Sequence, residues 1–170
     1  MDLFAQLELM PGMVSRVFAS LPAESWRVRS GPFAFVEHCW HLADLEREGF
    51  GSRIERLVAE DDPFLPDFDG EKMAAERQYL MLPLDQAIAA FAAARARNVA
   101  KLRSITAVQW QRSGRQERVG VVRLAEMPRR MLDHDFAHRN EIADLLADLL
   151  PQHAMITELR NRGPRTSRAA

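Results

Sequence analysis

From Phe33 to about Ala59 the chain runs without a proline while its apolar residues return every three or four positions. A stripe of that period over so many residues can be buried only as one face of a long helix, because a strand sends alternate residues to opposite sides. Three more segments repeat the pattern. Leu3, Leu7, Met10, Val14, Val17, Phe18 and Leu21 form the first, interrupted at Pro11 and Gly12. Either that stripe runs through the interruption or the long helix starts at Pro11, and in both cases it ends before Pro22. Pro83 opens the third, carried by Leu84, Ala87, Ile88, Phe91, Val99 and Leu102. The fourth runs from about Val122 to Leu150, with Pro128 as a kink or as the true first turn. No alternating strand pattern of convincing length is present, and residues 104–121 read as irregular. The pattern predicts an all-α four-helix bundle.

The segment 60–82 holds two prolines, a glycine and dense acid, which predicts a long ordered connection between helices 2 and 3 with one short helix. A connection of that length can run the length of a bundle and let two successive helices lie parallel. With 170 residues the chain fits one domain, expected over 1–160, followed by a disordered basic tail at 161–170. A core of this size folds without a disulfide or structural metal, so a metal would serve function.

Composition narrows the function classes. No apolar run is long enough to span a bilayer. The first ten residues carry two acids and no base, unlike a secretory leader, and Cys39 is the one cysteine. Both point to a cytoplasmic protein without a membrane partner. Residues 95–130 hold ten Arg or Lys against two acids, whereas Glu60 to Glu71 holds six acids and no base. A nucleic-acid partner is not expected from that stretch, since it offers Trp110 alone for base stacking and the net charge is −1.

His134 and His138 stand at i and i+4, and both lie on the arc of Met127, Met131, Ile142, Leu145 and Leu149, which spans about 60° of the helix. Two imidazoles aimed into a bundle interior leave ring nitrogens that need partners, at roughly 1 to 3 kcal/mol each, and a shared metal ion would satisfy both. Water or acidic partners are the plainer alternative. Helix 2 offers His41 as a third ligand, with His38 one turn behind. His41 faces away from the apolar arc of its helix, which suits the wall of a polar cleft or an exposed face. Glu37 and Glu141 are the candidate catalytic or ligand-orienting carboxylates. Cys39 lies on the apolar arc, as an inert thiol would.

The stretch GPFAFVEHCWHLADLEREGFGSRI, then EDDPFLPDFDG, then HDFAH, resembles the DinB-like (YfiT-like) family of small metal-dependent enzymes. In that family a histidine within E-x-x-x-H-L-x-D-x-E joins an H-D-x-x-H pair on the last helix. The resemblance implies an up-down-down-up bundle, a homodimer, and metal ligation by His41, His134 and His138. Two departures stand out. His38 has no counterpart in the pattern, and the family's usual H-L-x-Q-I reads here His138-Arg139-Asn140-Glu141-Ile142.

Three neutral imidazoles leave open coordination positions, and nickel, zinc, iron and manganese all suit them, nickel or zinc foremost. The expectation is a metal-dependent enzyme acting on a small polar molecule, with a thiol-dependent transferase or isomerase as the leading reading, because relatives use low-molecular-weight thiols. The alternatives are a metal- or ligand-binding bundle without catalysis, or a metal-dependent hydrolase. The substrate is expected to enter beside His41, among Ala34, Gly49 and Ser52, in surroundings made acidic by Glu37, Asp44 and Glu48. Phe33, Phe35 and Phe50 are read as apolar surplus, either for the homodimer face or lying under the 60–82 connection.

Overall fold

The computed structural model describes residues 2–160, so the basic tail predicted at 161–170 lies outside the described residues. Helix α1 spans Leu3–Ser20. Helix α2 (Phe35–Asp44) passes through a π-helical segment, Leu45–Gly51, into α3 (Ser52–Ala59), forming one continuous rod. A short helix α4 (Gly70–Glu76) lies in the connection to α5 (Leu84–Arg103). Helix α6 covers Met127–Leu149, and α7 (Met155–Arg160) packs back against it. The rod, α1, α5 and α6 form the bundle.

Helix α1 runs straight through Pro11, so its start is Leu3. A proline inside a helix orphans the carbonyl four residues earlier. Here that carbonyl belongs to Leu7, and Nη1 of Arg95 donates to it at 2.9 Å. Pro128, by contrast, sits in the first turn of α6, where its missing N–H costs nothing, so that helix begins at Met127 and not near Val122.

Val122 belongs to a strand. Among the described residues three short strands form a sheet that the periodicity did not announce. Strand β1 (Phe64–Leu65) pairs in parallel with β2 (Ser113–Gln116), which pairs antiparallel with β3 (Gly120–Arg123). The sheet joins the acidic connection to the basic segment. Arg112 donates to the Leu57 carbonyl at 2.7 Å and to Asp61 at 2.8 Å, and Arg115 pairs with Asp62 at 3.0 Å. The charge asymmetry along the chain is thus largely cancelled in space.

Two apolar clusters fill the bundle. One contains Met10, Val14, Phe35, Leu42, Phe91, Ile142 and Leu145; the other contains Leu7, Leu45, Ile54, Leu57, Val99, Met127, Met131 and Leu132. On the rod, α5 and α6 buried polar residues fall between them, and Arg95 is the hub. Its guanidinium is 2% exposed and meets Asp135 of α6 at 2.7 and 2.8 Å and Glu46 of the π-helical segment at 2.9 Å. Asn98 donates to both the carbonyl and the carboxylate of Glu46, at 2.7 and 2.9 Å. Asp135, the residue after His134, is therefore a buried ion-pair partner.

Phe33, Phe35 and Phe50 are all buried within the chain, so the apolar surplus read as a dimer face is covered by the protein itself. No helix of the described residues is long and apolar enough to cross a membrane.

Removing one partner of a buried ion pair leaves an uncompensated charge. The substitution Arg95→Met strands both Glu46 and Asp135, and should lower the unfolding free energy by about 3 to 5 kcal/mol in urea denaturation.

Candidate metal centre

His134 and His138 lie on successive turns of α6, and His41 approaches from α2. Nε2 of His134 lies 3.1 Å from Nε2 of His41 and 3.1 Å from Nε2 of His138. Three imidazole nitrogens thus converge on one point. Ligand bonds of 2.0 to 2.1 Å place neighbouring nitrogens about 2.9 Å apart in octahedral and about 3.3 Å apart in tetrahedral coordination. The observed spacing lies between, so the three rings fit a single divalent ion with little movement.

The chain is built to hold His41 in place. Its ring stands 5.5 Å from that of Phe33 and 5.9 Å from that of Phe68. Gly70, first residue of α4, lies directly over it. A Cβ there would fall well inside contact distance of His41 Cε1 and Nδ1. This explains why the 60–82 connection carries glycine after Asp69, whose side chain accepts from the Lys72 N–H at 3.0 Å and caps α4. Nδ1 of His41 is buried without a hydrogen-bond partner, which leaves the ring anchored by packing.

Burial disfavours charge on His38, His41 and His134. Burial pushes the His41 pKa down to about 3, with the neighbouring His138 as the second cause. His38 and His134 are also held well below the usual imidazole range, by burial first and then by His138. Neutral imidazole is the form that binds metal.

The other candidates divide. His38 is 1% exposed and joins the cluster from behind, with Nδ1 3.0 Å from Nδ1 of His138. Glu141 reaches the same place, its Oε2 2.9 Å from His138 Nδ1 and 3.7 Å from His38 Nδ1. Glu37 does not face an imidazole. It receives Nε of Arg29 at 2.7 Å and the Ala34 N–H at 2.9 Å, closing the start of α2. Asp44 and Glu48 are likewise engaged, by Arg77 and Arg47, and Tyr79 donates to Asp44 at 2.6 Å. Arginines and Tyr79 thus occupy the carboxylates expected to make the surroundings of His41 acidic, and the carboxylates that line the cavity beside it are instead Asp67, Asp69, Glu71 and Glu141. Cys39 is fully buried, and burial pushes its thiol pKa far up, so it is inert.

An open cavity of about 530 Å³ leads to the cluster, lined in part by Phe33, Phe68, His41, His138, Glu141 and Arg118. Arg118, at the turn between β2 and β3, holds a left-handed φ of 62° and lies 3.9 Å from Asp67. The wheel could not find Arg118, Phe68 or Gly70, since each reaches the site from outside the long helices. The one available signal was the glycine in DFDG.

The family model of the DinB superfamily matches residues 6–142. The chain belongs to the DinB superfamily. Its fold is similar to the solved structure of YfiT from Bacillus subtilis, described as a probable metal-dependent hydrolase with an unusual four-helix bundle topology. The TM-score is 0.78 at 17% identity, over 86% of this chain and 85% of that one. No curated protein sequence matches the chain. Superfamily and fold agree with the resemblance carried by the three histidines.

Two outcomes are expected. Gly70→Ala should displace the His41 ring and weaken zinc binding 10- to 100-fold, about the cost of losing a supporting contact around a ligand, as read by competitive titration. In metal-free protein, folded His41 takes a proton only near pH 3, whereas the unfolded chain does so near 6.5. Between those values the unfolded state binds more protons, so stability is full above about pH 6.5 and falls as pH is lowered. Thermal melts of wild type and His41→Gln at pH 7 and pH 5 should show a smaller loss in the variant.

Proposed function

We propose that the protein is a metal-dependent enzyme of hydrolytic type, with His41, His134 and His138 as the ligands of one divalent ion. The convergence of the three Nε2 atoms at the floor of an open cavity carries this reading. A site of three protein ligands facing a cavity leaves positions for water and substrate, whereas structural sites close all four. A bound ion would supply Lewis acidity, bringing water into the range of ionisation near neutral pH and polarising a carbonyl or phosphoryl oxygen. The description of YfiT as a probable metal-dependent hydrolase supports the same reading.

The chain's own residues supply the rest. Phe33 and Phe68 hold water away from the His41 ring. Glu141 sits on the cavity wall beside His138 Nδ1, where a carboxylate fixes the tautomer that leaves Nε2 free for the metal. Arg118 offers its guanidinium to an anionic group of a small substrate, since Asp67 engages it only loosely at 3.9 Å. No residue of the wall selects for a thiol, so thiol-dependent transfer is the competing outcome. The up-down-down-up helix order and a homodimer belong to this proposal on the resemblance, and a cytoplasmic setting on the acidic first ten residues and the one cysteine, with nickel or zinc as the first choice of ion and iron or manganese next.

Protein prepared without a polyhistidine tag or chelator should carry stoichiometric metal by elemental analysis. The double variant His134→Ala/His138→Ala should lose it while keeping its helical circular dichroism, and unchanged metal content would remove the proposal. In cobalt-loaded protein, small carboxylates or phosphates should perturb the visible spectrum. A response to thiols alone would favour the transferase reading.

A further inference from the structure

His138 presents two nitrogens to two different donor sets. Nε2 meets His134, and through it His41, on the cavity side. Nδ1 meets His38 Nδ1 at 3.0 Å and Glu141 Oε2 at 2.9 Å, with Glu141 Oε2 3.7 Å from His38 Nδ1. These three atoms form a second compact set of two imidazoles and one carboxylate, and such a set can hold a metal ion. We infer that His38, His138 and Glu141 form a second divalent-cation site, joined to the first through the His138 ring. The inference rests on the reading of the first site given above.

Three observations carry it. Two of the three spacings match neighbouring ligands on one ion, which stand about 2.9 to 3.3 Å apart at metal–nitrogen distances of 2.0 to 2.1 Å, and the third, at 3.7 Å, needs a small closing movement of Glu141. The two Nδ1 atoms lie within hydrogen-bond distance of each other, but the third atom of the set has no partner. Glu141 Oε2 is buried yet accepts no hydrogen bond of proper alignment, despite lying 2.9 Å from a ring nitrogen. Burying a carboxylate oxygen and two imidazoles around one point is unfavourable unless something there satisfies them, and a cation does. Finally, His38 and Glu141 are both positions at which the sequence departs from the motif it resembles, as Arg139 is too. They lie apart in the chain, on α2 and α6, and their side chains meet at a single nitrogen of His138.

Two imidazoles with one carboxylate suit first-row divalent ions such as zinc, manganese, iron or cobalt, and not calcium or magnesium, which prefer all-oxygen shells. Occupancy of both sites requires His138 to bind through both nitrogens. The proton on its ring then leaves for solvent as the second ion binds, and no electron changes hands. Glu141, which fixes the His138 tautomer while one ion is present, becomes a ligand when two are.

Titration of tag-free, metal-free protein with zinc, followed by calorimetry, tests this, with the variants His38→Gln, Glu141→Gln and His134→Ala alongside. Two equivalents in the wild type, reduced to one by His38→Gln and by Glu141→Gln, are expected. Copper-loaded wild type should show the loss of paramagnetic signal that follows coupling across a shared imidazole, and His38→Gln should restore an isolated copper signal. A single wild-type equivalent, lost in His134→Ala but unchanged in His38→Gln and Glu141→Gln, overturns the second site and leaves the first intact. A second equivalent that persists in both variants is adventitious and equally overturns it. No binding at all removes both readings.

Discussion

Arg95 is the residue on which the arrangement of the bundle depends. It stands on α5 at the centre of the stripe of Leu84, Ile88, Phe91, Val99 and Leu102, where an apolar side chain would be routine. From there it reaches the other three bundle elements at once, through the Leu7 carbonyl of α1, Glu46 of the π-helical segment and Asp135 of α6. A buried guanidinium is costly unless its donors are met by well-aligned acceptors. Leu7 O is available because Pro11 withholds the N–H that would have taken it, so the proline and the arginine explain each other. The grip on Asp135 fixes the roll of α6. Consecutive residues lie 100° apart on a helix, so holding Asp135 toward α5 turns His134 toward α2 and the cavity.

The π-helical segment is the corresponding device on the other side. Glycines at 49 and 51 permit it: a Cβ on Gly51 would meet the Glu46 carbonyl at 2.9 Å and Asn98 Oδ1 at 3.1 Å. Wider i to i+5 winding weakens the local ladder, and Asn98 compensates by donating to the Glu46 carbonyl. The result is that Glu46 points inward to Arg95 while His38 and His41, a few residues earlier in the same rod, face α6. Both halves of the polar layer are thus set by one local departure from regular helix.

Long-range order explains what the sequence did and did not disclose. The four apolar stripes were legible because their period is local, and so was the inward direction of His134 and His138. His41 was legible as the wall of a polar cleft, but its burial comes from Phe68 and Gly70, which the connection folds over it from outside the helix. The sheet escaped notice because its strands have two to four residues each, and β1 meets β2 across about fifty residues of intervening chain. The acidic and basic runs were visible as composition, whereas their mutual pairing depends on that non-local contact. Arg95 was counted with the basic run. Its place within an apolar stripe was the readable sign that it belonged to the core.

The polar layer also decides what kind of metal site this bundle can support. Apolar clusters lie on both sides of it, so the fold does not need an ion to hold its helices together. The ion would instead relieve a local conflict. Three rings bring Nε2 atoms to 3.1 Å, a spacing at which lone pairs repel unless a proton or a cation lies between them. Each neutral ring can place its one N–H in such a gap, while burial, which holds the His41 pKa down to about 3 and keeps His134 well below its ordinary value, denies those rings a second proton. The layer also contains two carboxylates, Glu46 and Asp135, against one guanidinium, so a further positive charge is favoured nearby. A cation that binds here is stabilised by a framework already assembled, and its free coordination positions remain turned toward the cavity. A catalytic ion needs that combination of rigid ligands and an open face.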